Sequence, residues 1–331
     1  MQIFRSLDAV PGWTKRSVAT IGSFDGVHLA HQQLLRRVTE LADKADVPAV
    51  GITFEPHPVS VLAPEKAPRL ITPPGVKLEL MELFGIHAAL VLPFTLEFSR
   101  WSPERFVEEV LVNTLHVASV VVGENFRFGH QQAGTPQVLK ELGQRWSFET
   151  EILPRIRCRN MNVSSSQVRR LLEAGKVFLA GRLLGRPFSV RGPIEAGLGI
   201  GKAQTVPTLN LAPYPDLLPA RGVYVTWARV AAGGEGQADG PRLSPRLRSV
   251  TNVGHRPTFG ERELGVETHL LDPWDKPRTD FLEVSFLHRL REERKFDSAE
   301  QLKAQILRDV RRAEAYFRRL DRFGVAFPTF P

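Results

Sequence analysis

Four short apolar segments in the first half of the chain limit its fold more than any other feature of the sequence. In chain order they are SVATIG (17–22), AVGITF (49–54), AALVLPF (88–94) and VASVVVG (117–123). Strands that are apolar on both faces belong in a parallel sheet covered by helices. Between the first two segments, an apolar stripe at helical spacing predicts the helix of a βαβ crossover. Its residues are Leu34, Leu35, Val38 and Leu41. The pattern predicts a doubly wound α/β domain.

The second half of the chain has a different rhythm. The helical pattern ends at Gly175, and strand candidates separated by Gly and Pro then predict a small antiparallel barrel. These candidates are FSVRGPI (188–194), GVYVTWARV (222–230), SVTNVG (249–254), VETHLL (266–271) and FLEVSFL (281–287). A length of 331 residues suits two domains of roughly 150 residues each. We therefore predict one domain over residues 1–180 and a second over residues 181–331.

A long helix is predicted after the last strand. Ser298 and Gln301 fit a capping box, and apolar residues follow at helical spacing. These residues are Leu302, Ile306, Val310, Ala313, Phe317 and Leu320. We expect this stripe to pack on the barrel.

Composition narrows the class of protein. No apolar run approaches the roughly 18 residues of a membrane span, and the first residues lack the pattern of a secretory signal. Cys158 is the only cysteine, which excludes an internal disulfide framework and a cysteine-rich zinc site. We expect a cytoplasmic protein without a membrane partner.

The formal net charge is +8, from 44 Lys and Arg against 36 Asp and Glu, and it favours anionic partners. The sign alone does not separate nucleic acid from small phosphorylated molecules. A cluster of arginines falls on polar positions of the predicted C-terminal helix. We expect these arginines to form a solvent-exposed helix face and not a nucleic-acid-binding site. They are Arg308, Arg311, Arg312, Arg318, Arg319 and Arg322. No nucleic-acid-binding motif is present, so we expect no nucleic-acid partner.

The segment GSFDGVH follows the first predicted strand. Gly22 and Gly26 allow a tight turn in which backbone N–H groups approach a phosphate, and the next helix points its positive end there. His28 and His31 then lie in the first helical turn, where imidazoles can donate to phosphate oxygens. The pattern HxxH by itself favours ordinary surface histidines, and a zinc site needs further ligands.

A second segment, NVSSSQVRRLLEAG (162–175), argues for an anion site. Ser164 and Gln167 fit a capping box, which explains one serine. Three consecutive serines followed by Arg169 instead suggest that hydroxyls, amides and a guanidinium meet a phosphate at a helix N-terminus.

Together these motifs resemble a known family. GxFDGxHxxH followed by SSSxxR resembles the paired signature of nucleotidylyltransferases. With FEPHP (54–58), GENFRFG (123–129) and the second half included, the chain resembles the bacterial bifunctional riboflavin kinase and FMN adenylyltransferase family over nearly its whole length. The resemblance implies a Rossmann-like adenylyltransferase domain, then a riboflavin kinase barrel with a C-terminal helix.

Four segments of the second half carry this resemblance: LGRPFSVRGPI (184–194), GLGIGKAQTVPTLNL (197–211), TNVGHRPTFG (251–260) with VETHLLD (266–272), and RLREERKFDSAEQLKAQILRDVRRA (289–313). The glycine-rich loop fails the P-loop spacing, because Ala203 stands where a hydroxyl residue is needed. Thr208 and Asn210 offer oxygen ligands two residues apart, which suits Mg²⁺ bridging ATP phosphates.

The resemblance also implies site residues. For ATP in adenylylation they are Gly22, Phe24, Asp25, Gly26, His28, His31, Ser164, Ser165 and Arg169, with both histidines catalytic. For the flavin there they are Asn125, Arg127 and Phe128, although Phe126 and Phe128 could instead be core residues. For ATP in the kinase they are Gly197, Gly199, Gly201, Lys202, Pro207, Thr208 and Asn210, with Thr208 and Asn210 on the metal. Glu267 is implied as the base that accepts the proton of the riboflavin 5′-hydroxyl.

The kinase loop departs from the family pattern, since QTVPTLN stands where the family reads LGFPTxN. Thr205 replaces a glycine and Val206 an aromatic residue. The leading hypothesis is a bifunctional enzyme that makes FMN and then FAD with ATP and Mg²⁺, as a monomer or weak homo-oligomer. One alternative is an FMN adenylyltransferase with an impaired kinase domain, and another is a non-catalytic flavin-binding regulatory protein. Retention of the histidine pair and Glu267 argues against the last.

Overall fold

The computed structural model describes residues 1–10, 12, 16–195, 208–231, 243–255, 264–274 and 280–323. The chain packs as two compact units, Met1–Ser165 (unit 1) and Ser166–Pro331 (unit 2). The expected domain boundary at residue 180 stays a prediction.

Unit 1 is built on a parallel sheet. Six described strands are hydrogen-bonded in the order β1-β4-β3-β2-β5-β6, and every pair is parallel. They are β1 Gln2–Phe4, β2 Ser17–Ile21, β3 Ala49–Glu55, β4 Ala88–Pro93, β5 Val117–Gly123 and β6 Glu149–Leu153. The predicted doubly wound sheet is confirmed. The two edge strands, β1 and β6, were not predicted, because QIF is short and ETEIL is half polar.

Helices cover this sheet and a small hairpin follows it. The helices are α1 Leu29–Ala45, α2 Pro58–Leu62, α3 Pro74–Leu83, α4 Pro103–Phe106 with a π-helical continuation Val107–Thr114, and α5 Pro136–Trp146. The hairpin strands are β7 Arg157–Cys158 and β8 Met161–Asn162. On α1, Leu34, Leu35 and Val38 are buried, as the periodicity predicted.

The strand order reverses between β2 and β5. In such sheets the loops after the two central strands diverge and open a crevice at their carboxyl ends, where ligands bind. The segment 22–28 follows β2, and the segment 124–129 follows β5. The topology therefore brings two of the predicted site segments to one edge.

Unit 2 contains a closed antiparallel barrel. Among the described residues its strands run in the order β10-β13-β12-β11-β14-β9. They are β9 Phe188–Glu195, β10 Leu209–Leu211, β11 Gly222–Ala231, β12 Leu247–His255, β13 Leu264–Leu270 and β14 Phe281–Arg291. The predicted barrel is confirmed. Strand β10 was not predicted, because three residues are too few to show alternation.

Three helices complete this part of the chain: α6 Ser165–Glu173, α7 Val177–Leu184 and α8 Ala299–Phe323. The Ser298 hydroxyl accepts from the Gln301 N–H at 3.2 Å, so half of the predicted capping box forms. Ala313 and Phe317 are buried in a cluster with barrel residues such as Leu287, which confirms that α8 packs on the barrel. The predicted arginine face of α8 is exposed. None of the described helices is long and apolar enough to cross a membrane.

Candidate functional site

The segment after β2 takes an unusual backbone path. Gly26 has φ +85°, as expected for a tight turn, but Phe24 and Val27 also have positive φ, at 49° and 38°. Bulky residues seldom adopt this conformation, and both side chains are fully buried, so packing holds the strained loop. Gly22 does not have a positive φ, but there is little room for a side chain at this position, because a Cβ there would lie 3.3 Å from the Phe24 ring. The loop is thus rigidly preorganised.

The two histidines stand at the start of α1. His28 is the N-cap of this helix, one position before the predicted first turn, and its Nδ1 accepts from the His31 N–H at 3.4 Å. Because Nδ1 accepts, the neutral ring carries its proton on Nε2, which remains a donor. The two rings stack with centroids 3.7 Å apart.

The His31 ring is held in its neutral form. Desolvation lowers its pKa well below the ordinary value, and electrostatic interactions with His28 and Lys77 lower it further. Its Nδ1 is buried and has no hydrogen-bond partner in the described part of the chain. A buried nitrogen without a partner costs free energy, so this atom points to a ligand.

Asp25 organises the loop and does not face outwards. Its carboxylate accepts from the N–H groups of Ile71 and Thr72, at 2.9 and 3.0 Å, and its side chain is buried. The hydroxyl of Ser165 donates to the Asp25 carbonyl at 2.9 Å. This bond joins the two predicted phosphate-binding motifs, which are 140 residues apart.

The serine motif lies at the start of α6. Ser164 directly precedes the helix and Ser165 is its first residue, so both stand at the helix end toward which the first backbone N–H groups point. Arg169 lies one turn further along the same helix. The segment therefore has the local geometry of a helix N-terminal anion site.

The segment after β5 separates polar from aromatic residues. Asn125 and Arg127 are exposed. Phe128 is 8% exposed, packs in the core beside Phe106, and stacks on Phe126 at 5.3 Å. Both aromatic rings thus contribute to the hydrophobic core, and the exposed polar pair, of which Arg127 donates to the Phe126 carbonyl, can meet a ligand.

A second group of predicted residues meets in the barrel. Glu267 on β13 lies directly opposite Asn210 on β10 and Asn252 on β12. Thr208 donates its hydroxyl hydrogen to Glu267 Oε1 at 2.7 Å. The predicted residues Gly197, Gly199, Gly201, Lys202 and Pro207 lie outside the described residues, as do Thr205 and Val206.

Glu267 and Thr208 line a cavity of ≈ 370 Å³ between the barrel and α8. Its apolar wall includes Phe296, Leu302, Ile306 and Val310. Six polar lining residues were not predicted: Asn252, His269, Arg291, Glu293, Arg294 and Asp309. Their segments were recognised, but only strand register and helix packing show which side chains face the cavity.

The side-chain oxygen atoms of Thr208, Asn210 and Glu267 suit a hard cation. A hydroxyl, an amide oxygen and a carboxylate are oxygen ligands of the kind that Mg²⁺ combines with phosphate oxygens. No group of three or more His, Cys, Asp or Glu in the described ranges could hold a metal by itself.

An ion-pair network fastens α8 to the barrel beside this cavity. Asp309 Oδ2 accepts from Arg291 Nε and Nη2 at 2.9 and 2.8 Å, and Asp309 Oδ1 accepts from Gln305 Nε2 at 2.8 Å. The side chains of Asp309 and Arg291 are only 3% and 17% exposed. Removing one partner of a buried pair leaves an uncompensated charge.

Asp309→Ala is expected to destabilise the barrel by about 3–5 kcal/mol, because Arg291 would stay buried without its carboxylate. Amide hydrogen exchange in β11 and β14 under native conditions measures this loss for unit 2 alone. Asp321→Ala is the matched control on the same helix. Its partner is Arg248 and its side chain is 58% exposed, so about 0–1 kcal/mol is expected. Equal losses for the two variants would contradict a stabilising role of the buried pair.

Comparison with known proteins gives two family matches. A model described as FAD synthetase matches residues 11–167, and one described as riboflavin kinase matches residues 184–317. Proteins named bifunctional riboflavin kinase/FMN adenylyltransferase are similar over nearly the whole chain. The one from Pseudomonas fluorescens is 35% identical and covers 95% of this chain and 97% of its own. The one from Escherichia coli is 32% identical and covers 91% of this chain and 92% of its own.

A solved structure has the same fold. It is described as a macrolide-efflux protein from Streptococcus pneumoniae, with a TM-score of 0.80 and 27% identity. The match covers 93% of this chain and 96% of that one. The likeness extends over both the parallel sheet and the barrel.

Proposed function

Because the chain belongs to the bifunctional riboflavin kinase/FMN adenylyltransferase family, we propose a division of labour among its residues that follows the two matched regions. The protein phosphorylates riboflavin to FMN with ATP, and it transfers the adenylyl group of a second ATP to FMN, releasing pyrophosphate. The riboflavin kinase model covers the barrel and the FAD synthetase model covers the parallel sheet. A binding protein without turnover and an enzyme confined to adenylylation are both less consistent with these matches.

For adenylylation we assign the ATP phosphates to the loop 22–28 and the start of α6. The FMN phosphate attacks the α-phosphorus, and the bond to the bridging oxygen of pyrophosphate breaks. His28 Nε2–H and the His31 ring donate to phosphate oxygens as negative charge develops on them, and the positive end of α1 adds to this effect. Neutral imidazoles in a fixed loop need no reorganisation during the reaction. Ser164, Ser165 and Arg169 hold the remaining oxygens.

The flavin of this step is assigned to the edge formed after β5, with Asn125 and Arg127 as its polar contacts. The support is their exposure next to the reversal in strand order. Phe128 acts mainly through the core that shapes this edge.

For phosphorylation we assign Glu267 as the general base. The Glu267 carboxylate accepts the proton of the ribityl 5′-hydroxyl. The hydroxyl oxygen attacks the γ-phosphorus of ATP, and ADP leaves. The contact from Thr208 fixes the orientation of the carboxylate. Riboflavin is assigned to the cavity under α8, since an apolar wall with a few polar groups at one side is typical of a site for a flat ring system.

Magnesium is assigned to Thr208 and Asn210 together with ATP oxygens. When bound, the ion neutralises charge on the transferring phosphates. The chain itself supplies the position of the nucleotide and of the base. We also propose a cytoplasmic monomer or weak homo-oligomer whose partners are riboflavin, FMN, FAD and ATP, without nucleic acid or membrane.

The observation that carries the assignment is that, in the sheet and in the barrel alike, a hydrogen bond connects predicted site motifs that are distant in sequence. The Ser165–Asp25 bond connects the phosphate-binding segments of the sheet, and the Thr208–Glu267 bond connects the metal-ligand pair and the base in the barrel.

Chromatography of the flavins formed from riboflavin, ATP and Mg²⁺, with FMN as the substrate in a parallel reaction, tests the function. FAD is expected from both. FAD from FMN alone would mean that the QTVPTLN loop has inactivated the kinase. No FAD from either would contradict the adenylyltransferase assignment, and omission of Mg²⁺ is expected to stop both reactions.

A further inference from the structure

Lys77 is a buried lysine beneath the phosphate-binding loop. It lies in α3 and is 7% exposed. Its Nζ donates to Thr53 Oγ1 at 2.9 Å and to the carbonyl of Ser23 at 3.4 Å. Ser23 stands between Gly22 and Phe24, so the ammonium group touches the backbone of the loop itself.

The charge of Lys77 has no direct counterion in the described part of the chain, since both acceptors are neutral oxygens. Burial lowers the pKa of its ammonium, while the charges of Glu55 and Asp25 oppose that shift through space. The carboxylate of Asp25 is engaged by backbone N–H groups. A buried cation is costly unless an anion accompanies it.

The position of Lys77 relative to the histidines indicates which anion this is. Its charge is close enough to contribute to the lowered pKa of His31. The unpartnered Nδ1 of His31 also indicates a missing ligand. An ammonium has three N–H donors, and two of those on Lys77 have acceptors.

We propose that Lys77 is a further phosphate-binding residue of the adenylylation site, contacting the triphosphate of ATP and then the departing pyrophosphate. The inference rests on the proposed function, because it takes the loop 22–28 as the site of the phosphates. When the bond at the α-phosphorus breaks, the pyrophosphate gains negative charge. A fixed ammonium in a site of low dielectric stabilises that charge.

Two variants separate the charge from the hydrogen bonds. Lys77→Met removes both, whereas Lys77→Gln removes the charge and keeps an amide whose N–H groups can donate to Ser23 and Thr53. In the full-length protein, the inhibition constant of inorganic pyrophosphate and the KM and kcat for ATP are measured during FAD formation from FMN. Both variants are expected to weaken pyrophosphate inhibition about 10–100-fold, as for loss of a hydrogen bond to a charged group. The kcat is expected to fall as well.

The same protein supplies the controls. FMN formation from riboflavin should be unchanged in both variants, and Lys66→Met replaces an exposed lysine with no expected effect on either reaction. Wild-type pyrophosphate inhibition in Lys77→Gln would overturn the proposal and leave Lys77 as a brace of the loop. If Lys77→Met does not fold, Lys77→Gln alone decides the question. Absence of FAD formation in the wild-type protein would instead refute the proposed function.

Discussion

Glu267→Gln is expected to slow FMN formation about 10²–10⁴-fold, the usual effect of losing a general base. FAD formation from supplied FMN should stay at the wild-type rate. Glutamine has nearly the same shape and can still accept from Thr208, which donates to Oε1 in the native protein. The variant therefore removes proton acceptance while keeping the local geometry. The measurement is the initial rate of each reaction at saturating ATP.

Glu283→Gln is the matched control, because it makes the same change in another strand of the same barrel. Its carboxylate pairs with Arg229 at 3.8 Å and lies away from the residues around Glu267. It is expected to retain FMN formation. If Glu267→Gln kept wild-type FMN formation, or slowed both reactions equally, the assignment of Glu267 as base of the kinase would be wrong.

His28→Asn is expected to slow FAD formation about 10²–10³-fold, the usual effect of removing a preorganised donor to a developing anion. Asparagine was chosen because it is a favourable N-cap residue, so the start of α1 is preserved. What disappears is the Nε2–H of the imidazole. Formation of FMN from riboflavin should remain unchanged. The two products, separated by chromatography, report the two rates independently.

His116→Asn is the control for this substitution. His116 is exposed and has φ +46°, a conformation that asparagine tolerates well. It is expected to leave both rates intact. A loss of FMN formation in His28→Asn as large as the loss of FAD formation would mean that the two reactions do not use separate sites.

Much of the fold could be predicted because it depends on local periodicity. Apolar strands of the sheet, the stripe of α1 and the long helix α8 repeat with periods that the chain itself displays. The misses have a common cause: β1, β6 and β10 are short or half polar, and they form only because a neighbouring strand completes their hydrogen bonds.

The candidate site divides in the same way. GSFDGVH, SSS and the pair Thr208 and Asn210 were recognisable as motifs, since residue type and spacing alone define them. Asp25 was assigned to ATP from the motif, yet its carboxylate binds the backbone before α3. Phe128 was assigned to the flavin, yet it is mostly core. A motif indicates a site but does not say which way each side chain points.

The sequence by itself determined the class of each half of the chain and the chemistry that its motifs can perform, because these depend on residue type, spacing and period. The tertiary structure alone decided which residues act together. Ser165 meets Asp25 across 140 residues, Glu267 meets Thr208 across 59, and Lys77 reaches Ser23 across 54. Contacts of this kind depend on strand order and packing between distant segments, for which no local pattern exists.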